Sequence, residues 1–131
     1  MLVEHATRQF ISDEELELHY HQEQEQIENM FPNCNFTIAI PLVEIDTIIS
    51  KEKTIILKHD WNEYYRDQNN QLKFEKRRNF YVISCDVMSV KNIIYEMIKQ
   101  QVDCWGDHRF LEGITPCFEG NDTQFDLYFG S

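Results

Sequence analysis

The chain contains segments with the apolar spacing of β-strands and segments with the apolar spacing of α-helices. They do not follow the regular strand–helix alternation that builds a parallel sheet. Five segments have a strand pattern, at residues 35–40, 53–58, 72–85, 109–114 and 124–129. With the helix patterns between them, the order of elements is α-β-α-β-β-α-β-β. This order predicts the α+β fold class, in which a largely antiparallel sheet of about five strands has two or three helices packed on it.

The first helix is predicted to begin at Ser12, because a Ser followed by Glu15 three residues later forms a capping box. Asp13 and Glu14 occupy the first turn, where the helix dipole favours negative charge. The apolar residues that follow have helical spacing and are expected to pack: Leu16, Tyr20, Ile27, Met30 and Phe31. Pro32 ends this helix, so one face is expected to pack and the remainder to be acidic.

Two further helices are indicated downstream. Residues 42–49 carry apolar side chains at three- and four-residue spacing, which favours a short helix entered through Pro41. Their β-branched side chains equally suit an extension of the preceding strand. Residues 90–98 form the clearest helical stripe in the sequence, and Asp86 or Ser89 is its expected N-cap.

Two connections complete the predicted sheet. Residues 53–58 and 72–85 are expected to pair as antiparallel neighbours. The polar and aromatic residues 60–70 between them are predicted to form an ordered loop, since Asp, Gln and Asn favour turns. The Gly120-Asn121-Asp122 sequence predicts a turn between the last two strands, which places the C-terminal strand in the sheet.

The length and composition indicate one folded domain spanning residues 1–131. Of these residues, 42% are hydrophobic and 13% aromatic, enough apolar side chain to build a core and to offset the entropy of ordering. No repeat, low-complexity tract or linker rich in Gly and Ser divides the sequence. A single domain is therefore expected.

The cysteines are expected to be thiols in a reducing compartment, because they show neither CxxC pairing nor the density of a disulfide scaffold. They are Cys34, Cys85, Cys104 and Cys117. The first residues lack a basic region followed by an apolar run, and no apolar stretch approaches the roughly 18 residues that span a bilayer. The sequence therefore predicts a cytoplasmic protein with no membrane partner.

No motif in the sequence marks a catalytic or cofactor site. His19 and His21 are two residues apart and point to different faces of a helix, and Cys104 with His108 lacks the further ligands that zinc needs. The cysteines are better interpreted as buried apolar residues than as activated nucleophiles. We therefore expect no catalytic residue, no cofactor and no bound metal.

Charge gives the strongest functional indication. The sequence has 23 acidic and 12 basic residues, a net charge of −11, which argues against a nucleic acid and favours a basic protein as the partner. Residues 13–28 contain seven acids and no Lys or Arg, and residues 102–131 contain six acids and one base, Arg109. Nine acids of these segments are the predicted partner-binding residues: Glu14, Glu17, Glu25, Glu28, Asp103, Asp107, Glu112, Asp122 and Asp126.

Aromatic side chains with a polar tip are candidate anchors within an acidic interface. They are Tyr20, Trp61, Tyr64, Tyr65, Trp105 and Tyr128, for each of which core packing is the competing interpretation. The basic cluster Lys73-Phe74-Glu75-Lys76-Arg77-Arg78 combines charge with an aromatic residue, as nucleic-acid contacts do. A charged solvent side of a strand explains this cluster better.

The size, the acidity, the α+β pattern and two C-terminal segments resemble the small acidic immunity proteins of bacterial contact-dependent growth inhibition and related polymorphic toxin systems. The segments are Arg109-Phe110-Leu111-Glu112-Gly113-Ile114 and Phe125-Asp126-Leu127-Tyr128-Phe129-Gly130-Ser131. The resemblance implies an antitoxin that occludes a cognate basic toxin domain stoichiometrically, often a nuclease with a basic cleft. No functional residue of that family carries over to a position in this sequence.

Two other functions stay open at this point. A nucleic-acid mimic, such as an antirestriction or anti-defence protein, presents carboxylates spaced like duplex phosphates, a pattern that the 12 bases here dilute. A small enzyme with an unrecognised site shows a perturbed titration of a His or a Cys in a pocket. The sequence determines neither the partner's activity nor the oligomeric state.

Overall fold

The computed structural model describes residues 12–102 and 109–130. The chain divides into two units, Met1–Pro32 and Asn33–Ser131. The described part of the first unit contains helix α1 (Asp13–Met30). The second unit contains, in chain order, β1 (Thr37–Ile38), β2 (Ile48–Ser50), β3 (Thr54–Arg66), β4 (Leu72–Ser84), β5 (Met88–Ser89), α2 (Val90–Lys99), β6 (Phe110–Pro116) and β7 (Gln124–Gly130).

Helix α1 is capped as the sequence predicts. The Oγ of Ser12 accepts a hydrogen bond from the backbone N–H of Glu15 at 3.1 Å, and three acids occupy the first turn. The cap satisfies one of the unpaired N–H groups at the helix start, and the acids lie at the positive end of the helix dipole. The helix ends at Phe31, whose N–H donates to the carbonyl oxygen of Glu28 at 3.3 Å.

The larger sheet has the strand order β1-β6-β7-β3-β4. The β3–β4 and β6–β7 pairs are antiparallel, whereas β1 pairs with β6, and β7 with β3, in parallel. The sheet is therefore mixed. The expectation of a largely antiparallel sheet is wrong for two of its pairings, β1 with β6 and β7 with β3. Tight turns produce antiparallel neighbours locally, but they do not determine how separate hairpins join.

The helix predicted over residues 42–49 does not form. A single 3₁₀ turn covers Leu42–Glu44, and β2 then begins at Ile48. The β-branched side chains of this segment favour extended backbone, and β2 pairs with β5 in a separate two-stranded sheet. The described residues thus contain two α-helices, and the α+β fold class is confirmed.

Helix α2 and the larger sheet supply the core of the second unit. The Oγ of Ser89 caps α2 by accepting a hydrogen bond from the N–H of Asn92 at 3.2 Å. The predicted stripe of this helix is buried, and the helix contacts β4 and β5. The sheet buries alternate residues on its core face: Ile55 and Leu57 of β3, Ile83 of β4, Leu111 of β6, and Phe125 and Leu127 of β7.

The β3–β4 hairpin is longer than predicted. Each of its strands has 13 residues, because residues 60–66, expected in a loop, continue β3. The aromatic residues in this segment favour extended backbone, and each has a cross-strand partner in β4. The turn is confined to residues 67–71, where the Oδ1 of Asp67 accepts hydrogen bonds from the N–H groups of Asn69 and Gln71 at 2.9 Å each.

Candidate functional site

Helix α1 presents its acidic side chains to solvent. Glu14, Glu17, Glu25 and Glu28 are all exposed. Glu17 lies 3.9 Å from the Nε2 of His21, and both side chains are about three-quarters exposed, so this contact compensates little charge. These four carboxylates therefore form an exposed acidic surface, as the sequence predicts.

The same helix exposes apolar side chains that were expected to pack. Leu16 is 43% exposed, Leu18 58% and Tyr20 62%, and Ile27 is the one buried residue among those that α1 comprises. Leu16 and Tyr20 lie one turn apart on the same side of the helix. The prediction that both belong to the packed face is wrong. The N-terminal half of α1 instead combines carboxylates with apolar groups that a partner can bury.

The described acids of the predicted C-terminal set, Glu112, Asp122 and Asp126, do not form one cluster. Asp103 and Asp107 lie outside the described residues. The carboxylate of Asp126 is half-buried and forms an ion pair with the Nζ of Lys58 at 3.2 Å, so its charge is largely compensated within the sheet. The hydrogen bond that Lys58 donates to Asp126 raises the pKa of Lys58, which keeps the ammonium group charged. Asp126 is thus occupied within the fold rather than presented to a partner.

Glu112 and Asp122 are exposed, but they lie at different ends of the β6–β7 hairpin. Glu112 is near the start of β6, at the bulge between Leu111 and Gly113. Asp122 belongs to the connection after β6, and its carbonyl oxygen accepts a hydrogen bond from the Oγ of Ser50 at 2.6 Å. Neither carboxylate combines with a second acid at one site in the described residues.

A projecting part of the β3–β4 hairpin is a feature that sequence reasoning missed, and we call residues 60–78 the hairpin arm. Strand β7 pairs with β3 only from Ile56 to Lys58, so within the described residues β4 is the one strand beside β3 beyond that point. The arm contains four acids and five bases, whereas the whole chain has a net charge of −11. The arm therefore carries a small positive charge on an acidic protein.

Two of the five basic groups in the arm, Arg77 and Arg78, are neutralised by acids of the hairpin. The Nε of Arg78 donates to Asp60 at 2.6 Å, and the hydrogen bond from this guanidinium lowers the pKa of Asp60. Arg77 pairs with Glu63 at 2.8 Å and with Glu75 at 2.7 Å. The two arginines of the basic cluster are therefore compensated, as expected of the charged side of a strand.

Apolar residues of β4 face solvent beside these ion pairs. The rings of Phe74 and Tyr64, which are cross-strand partners, have centroids 5.8 Å apart. The exposed apolar residues of β4 all have even numbers: Leu72, Phe74, Phe80 and Val82. The alternation is visible in the sequence, but it is usually taken to place the apolar side inward. Here Ile83, on the other face, belongs to the core.

The thiols of Cys85 and Cys117 and the imidazole of His59 lie partly or fully within the fold. Burial raises the pKa of Cys85, and burial together with Asp126 raises that of Cys117, so both thiols are protonated near neutral pH. His59 is buried, with its ring centroid 4.9 Å from that of Phe129. Within residues 12–102 and 109–130, no three His, Cys, Asp or Glu side chains come together as metal ligands.

A cleft of about 500 Å³ lies beside the arm and is lined by Asp60, Trp61, Asn62, Lys76, Arg77 and Arg78. Successive residues of a strand point to opposite faces, so this lining wraps around the hairpin. The cleft is an open surface groove.

None of the described helices has the length and apolar character that crossing a membrane requires. Comparison of the chain with protein-family models, with curated proteins and with solved structures finds no match.

Proposed function

We propose that the chain is a cytoplasmic immunity-type protein that binds a basic toxin domain and inhibits it by stoichiometric occlusion, with α1 as the main contact surface. The observation that carries this proposal is the composition of α1: seven acids without a base, beside the exposed side chains of Leu16, Leu18 and Tyr20. An interface needs both a complementary charge and apolar anchors, and this helix supplies both.

The two kinds of group have different roles in the proposed complex. Exposed carboxylates attract a basic partner over roughly 8 Å at physiological salt and accelerate encounter, but each exposed ion pair contributes at most about 1 kcal/mol to affinity. A fully buried Leu or aromatic side chain contributes about 1.5–3 kcal/mol. Charge therefore selects and steers the partner, and Leu16 and Tyr20, which lie on the same side of the helix, hold it.

Inhibition by occlusion needs no reactive group on the inhibitor. The protonated thiols of Cys85 and Cys117 and the surface groove at the arm agree with a binding role. The large acidic excess disfavours direct contact with nucleic acid, because phosphates would be repelled. These features support a protein partner.

Affinity capture tests the proposal. The tagged chain is incubated with lysate of its native cell at low and then high salt, and the retained proteins are identified and quantified by mass spectrometry. We expect one basic protein in near-equal amount, retained at high salt because apolar anchors resist screening. Several DNA-binding proteins released by salt would instead indicate a nucleic-acid mimic, and retention of no protein would contradict the proposal.

A pair of variants then tests the role of α1. The double change Leu16→Ser and Tyr20→Ser should abolish retention at high salt while leaving the far-UV spectrum unchanged, since both side chains are exposed. The matched control is Val43→Ser with Phe118→Ser, which are 87% and 65% exposed outside α1. Equal loss in both variants would remove α1 from the interface.

A further inference from the structure

The outer edge of β4 carries backbone groups that point away from the sheet. The N–H of Asp67 donates to the carbonyl of Gln71, and the N–H of Cys85 donates to that of Lys53, so odd-numbered residues make the β3–β4 hydrogen bonds. Since alternate residues of a strand point their N–H and C=O groups to opposite sides, the even-numbered residues of β4 point theirs outward. Among the described residues, no strand pairs with this edge from Leu72 to Phe80.

A side-chain contact from Gln100 marks one end of the unpaired edge of β4. The side-chain amide of Gln100, directly after α2, donates to the carbonyl oxygen of Val82 at 2.7 Å. This bond confirms that an even-numbered residue points outward, and it occupies the acceptor at the end of the edge near the helix. A strand added to β4 can therefore form backbone bonds as far as Phe80.

The side chains of the same residues follow a palindromic order on the solvent face. Read along β4, this face is apolar, apolar, basic, basic, apolar, apolar: Leu72, Phe74, Lys76, Arg78, Phe80 and Val82. The four apolar members are between 53% and 61% exposed. The centre of the palindrome is Arg77. About a two-fold axis, each residue meets the residue at the same distance on the other side of the axis, so this order places apolar residues opposite apolar residues.

We propose that two copies of this chain pair through β4 in antiparallel orientation, with the two-fold axis at Arg77. Phe74 then lies opposite Phe80 of the second copy, and Lys76 lies opposite Arg78 of the second copy. The residues from Phe74 to Phe80 with outward backbone groups form the ladder, and the sheets of the two copies become continuous.

Charge explains why the contact forms at the arm. Two copies that each carry −11 repel one another over most of their surfaces. In the arm, Arg78 is neutralised by Asp60, and Arg77 by Glu63 and Glu75, so this edge approaches its copy without a large repulsion. Lys76 has no ion pair within the described residues. Its position opposite a second basic side chain makes the dimer weak, since like charges directly across strands are unfavourable.

Cysteine cross-linking tests the register. In the proposed dimer residue 77 lies opposite its own copy, at a Cα separation of roughly 4.5 Å that suits a disulfide. Purified Arg77→Cys protein should form a disulfide-linked dimer under mild oxidation at least roughly tenfold faster than wild type, because pairing raises the effective thiol concentration. The wild-type chain controls for its native thiols.

Two further single variants distinguish this register from chance collision. Glu75→Cys and Asn79→Cys should each cross-link slowly alone, because like positions are then roughly 13 Å apart along the strand. A mixture of the two should cross-link rapidly, since residue 75 faces residue 79 of the other copy. Equal rates for the mixture and for each variant alone would overturn the proposed pairing.

Sedimentation equilibrium measures the association itself. Lys76→Glu should tighten the dimer roughly tenfold, because two repulsive pairs become attractive. Phe80→Lys should weaken the dimer by a similar factor, while the matched control Phe118→Lys, at an equally exposed aromatic outside β4, should not. A wild-type chain that stays monomeric at the highest concentration reached, with no gain from Lys76→Glu, would overturn the proposal. These assays use the purified chain alone and do not depend on the partner of α1.

Discussion

The guanidinium of Arg78 reaches across the β3–β4 hairpin and donates to both carboxylate oxygens of Asp60, from Nε to Oδ1 at 2.6 Å and from Nη2 to Oδ2 at 3.3 Å. The two residues are direct cross-strand partners. This pair lies beyond the segment that β7 covers, where β3 and β4 continue as a ribbon. Such a bidentate contact fixes the register of the two strands and also neutralises charge.

The Asp60–Arg78 pair should make the hairpin sensitive to acid. Because Arg78 lowers the pKa of Asp60 below its ordinary 3.8, the pair contributes stability above that value, and the contribution is lost as the pH falls through the lower folded pKa. Asp60→Asn should therefore lower the thermal midpoint at pH 7, by a few degrees at most because both side chains are about half exposed. The difference between the two proteins should shrink below about pH 4.

Thermal unfolding followed by circular dichroism at pH 7 and pH 3 measures this effect. Glu52→Gln, at an exposed acid without an ion pair among the described residues, is the control for the loss of one negative charge. If Asp60→Asn and Glu52→Gln change the midpoint equally at both pH values, the ion pair does not stabilise the arm.

Charge reversal on α1 should slow association with the captured partner. Changing Glu14, Glu17, Glu25 and Glu28 to Lys is expected to reduce the association rate roughly tenfold or more at low salt, and to flatten its salt dependence, because the attraction is long-range. Stopped-flow or surface-based kinetics across a salt series measures both quantities. The dissociation rate should change less.

The control for this experiment makes the same change in net charge elsewhere. It replaces with Lys four exposed acids outside α1, namely Glu44, Asp46, Glu52 and Glu119. A smaller rate decrease is expected, since these residues are outside the proposed contact surface. Equal decreases in the two variants would mean that only the overall charge matters and that α1 is not the contact surface.

Removal of the cap of α2 should destabilise the second unit. Ser89→Ala removes the acceptor for the N–H of Asn92 and should cost about 1 kcal/mol of the free energy of unfolding. Ser89→Gly should cost only a few tenths of that amount, because a small residue leaves the helix start hydrated. Urea unfolding followed by tryptophan fluorescence distinguishes the two, and identical midpoints for both variants would contradict a capping role.

The thiol of Cys117 should react slowly, for a reason that one substitution tests. Burial and then the nearby carboxylate of Asp126 raise its pKa above the ordinary 9.0. Iodoacetamide labelling should therefore be slow at neutral pH and should rise only at more alkaline pH than for an ordinary thiol. Asp126→Asn should accelerate labelling of Cys117 severalfold at pH 8.

Cys85 is the internal control in this labelling experiment. Burial also raises the pKa of this thiol, but the charges acting on it are those of Glu96, Lys99 and Asp86. Its labelling rate, followed by peptide mass spectrometry in the same samples, should not respond to the change at Asp126. Acceleration at both positions would indicate general loosening rather than a local electrostatic effect.

The sequence by itself determined the two helix caps and the last hairpin turn, because these features depend on neighbouring residues. Ser12 and Ser89 cap α1 and α2 because a short side-chain oxygen reaches the N–H three residues onward. The Gly120-Asn121-Asp122 turn joins two strands that pair as a hairpin, as predicted. The acidic residues of α1 need no tertiary contact to form an acidic surface, only exposure to solvent. The acidic part of the candidate site was therefore predictable from the sequence.

The tertiary structure decided what depends on distant residues. The parallel joins of β1 with β6 and of β7 with β3 link segments far apart in sequence, and no local pattern determines them. The period-two spacing in β4 shows that the strand has two faces, but not which face packs against the core. In the folded chain Ile83 is buried, whereas Phe80 stays exposed. Helical spacing likewise groups Leu16 with Tyr20 but does not supply a surface to bury them. Local conformation is set by the spacing and propensity of neighbours, whereas burial requires a second surface that only the folded chain can bring into place.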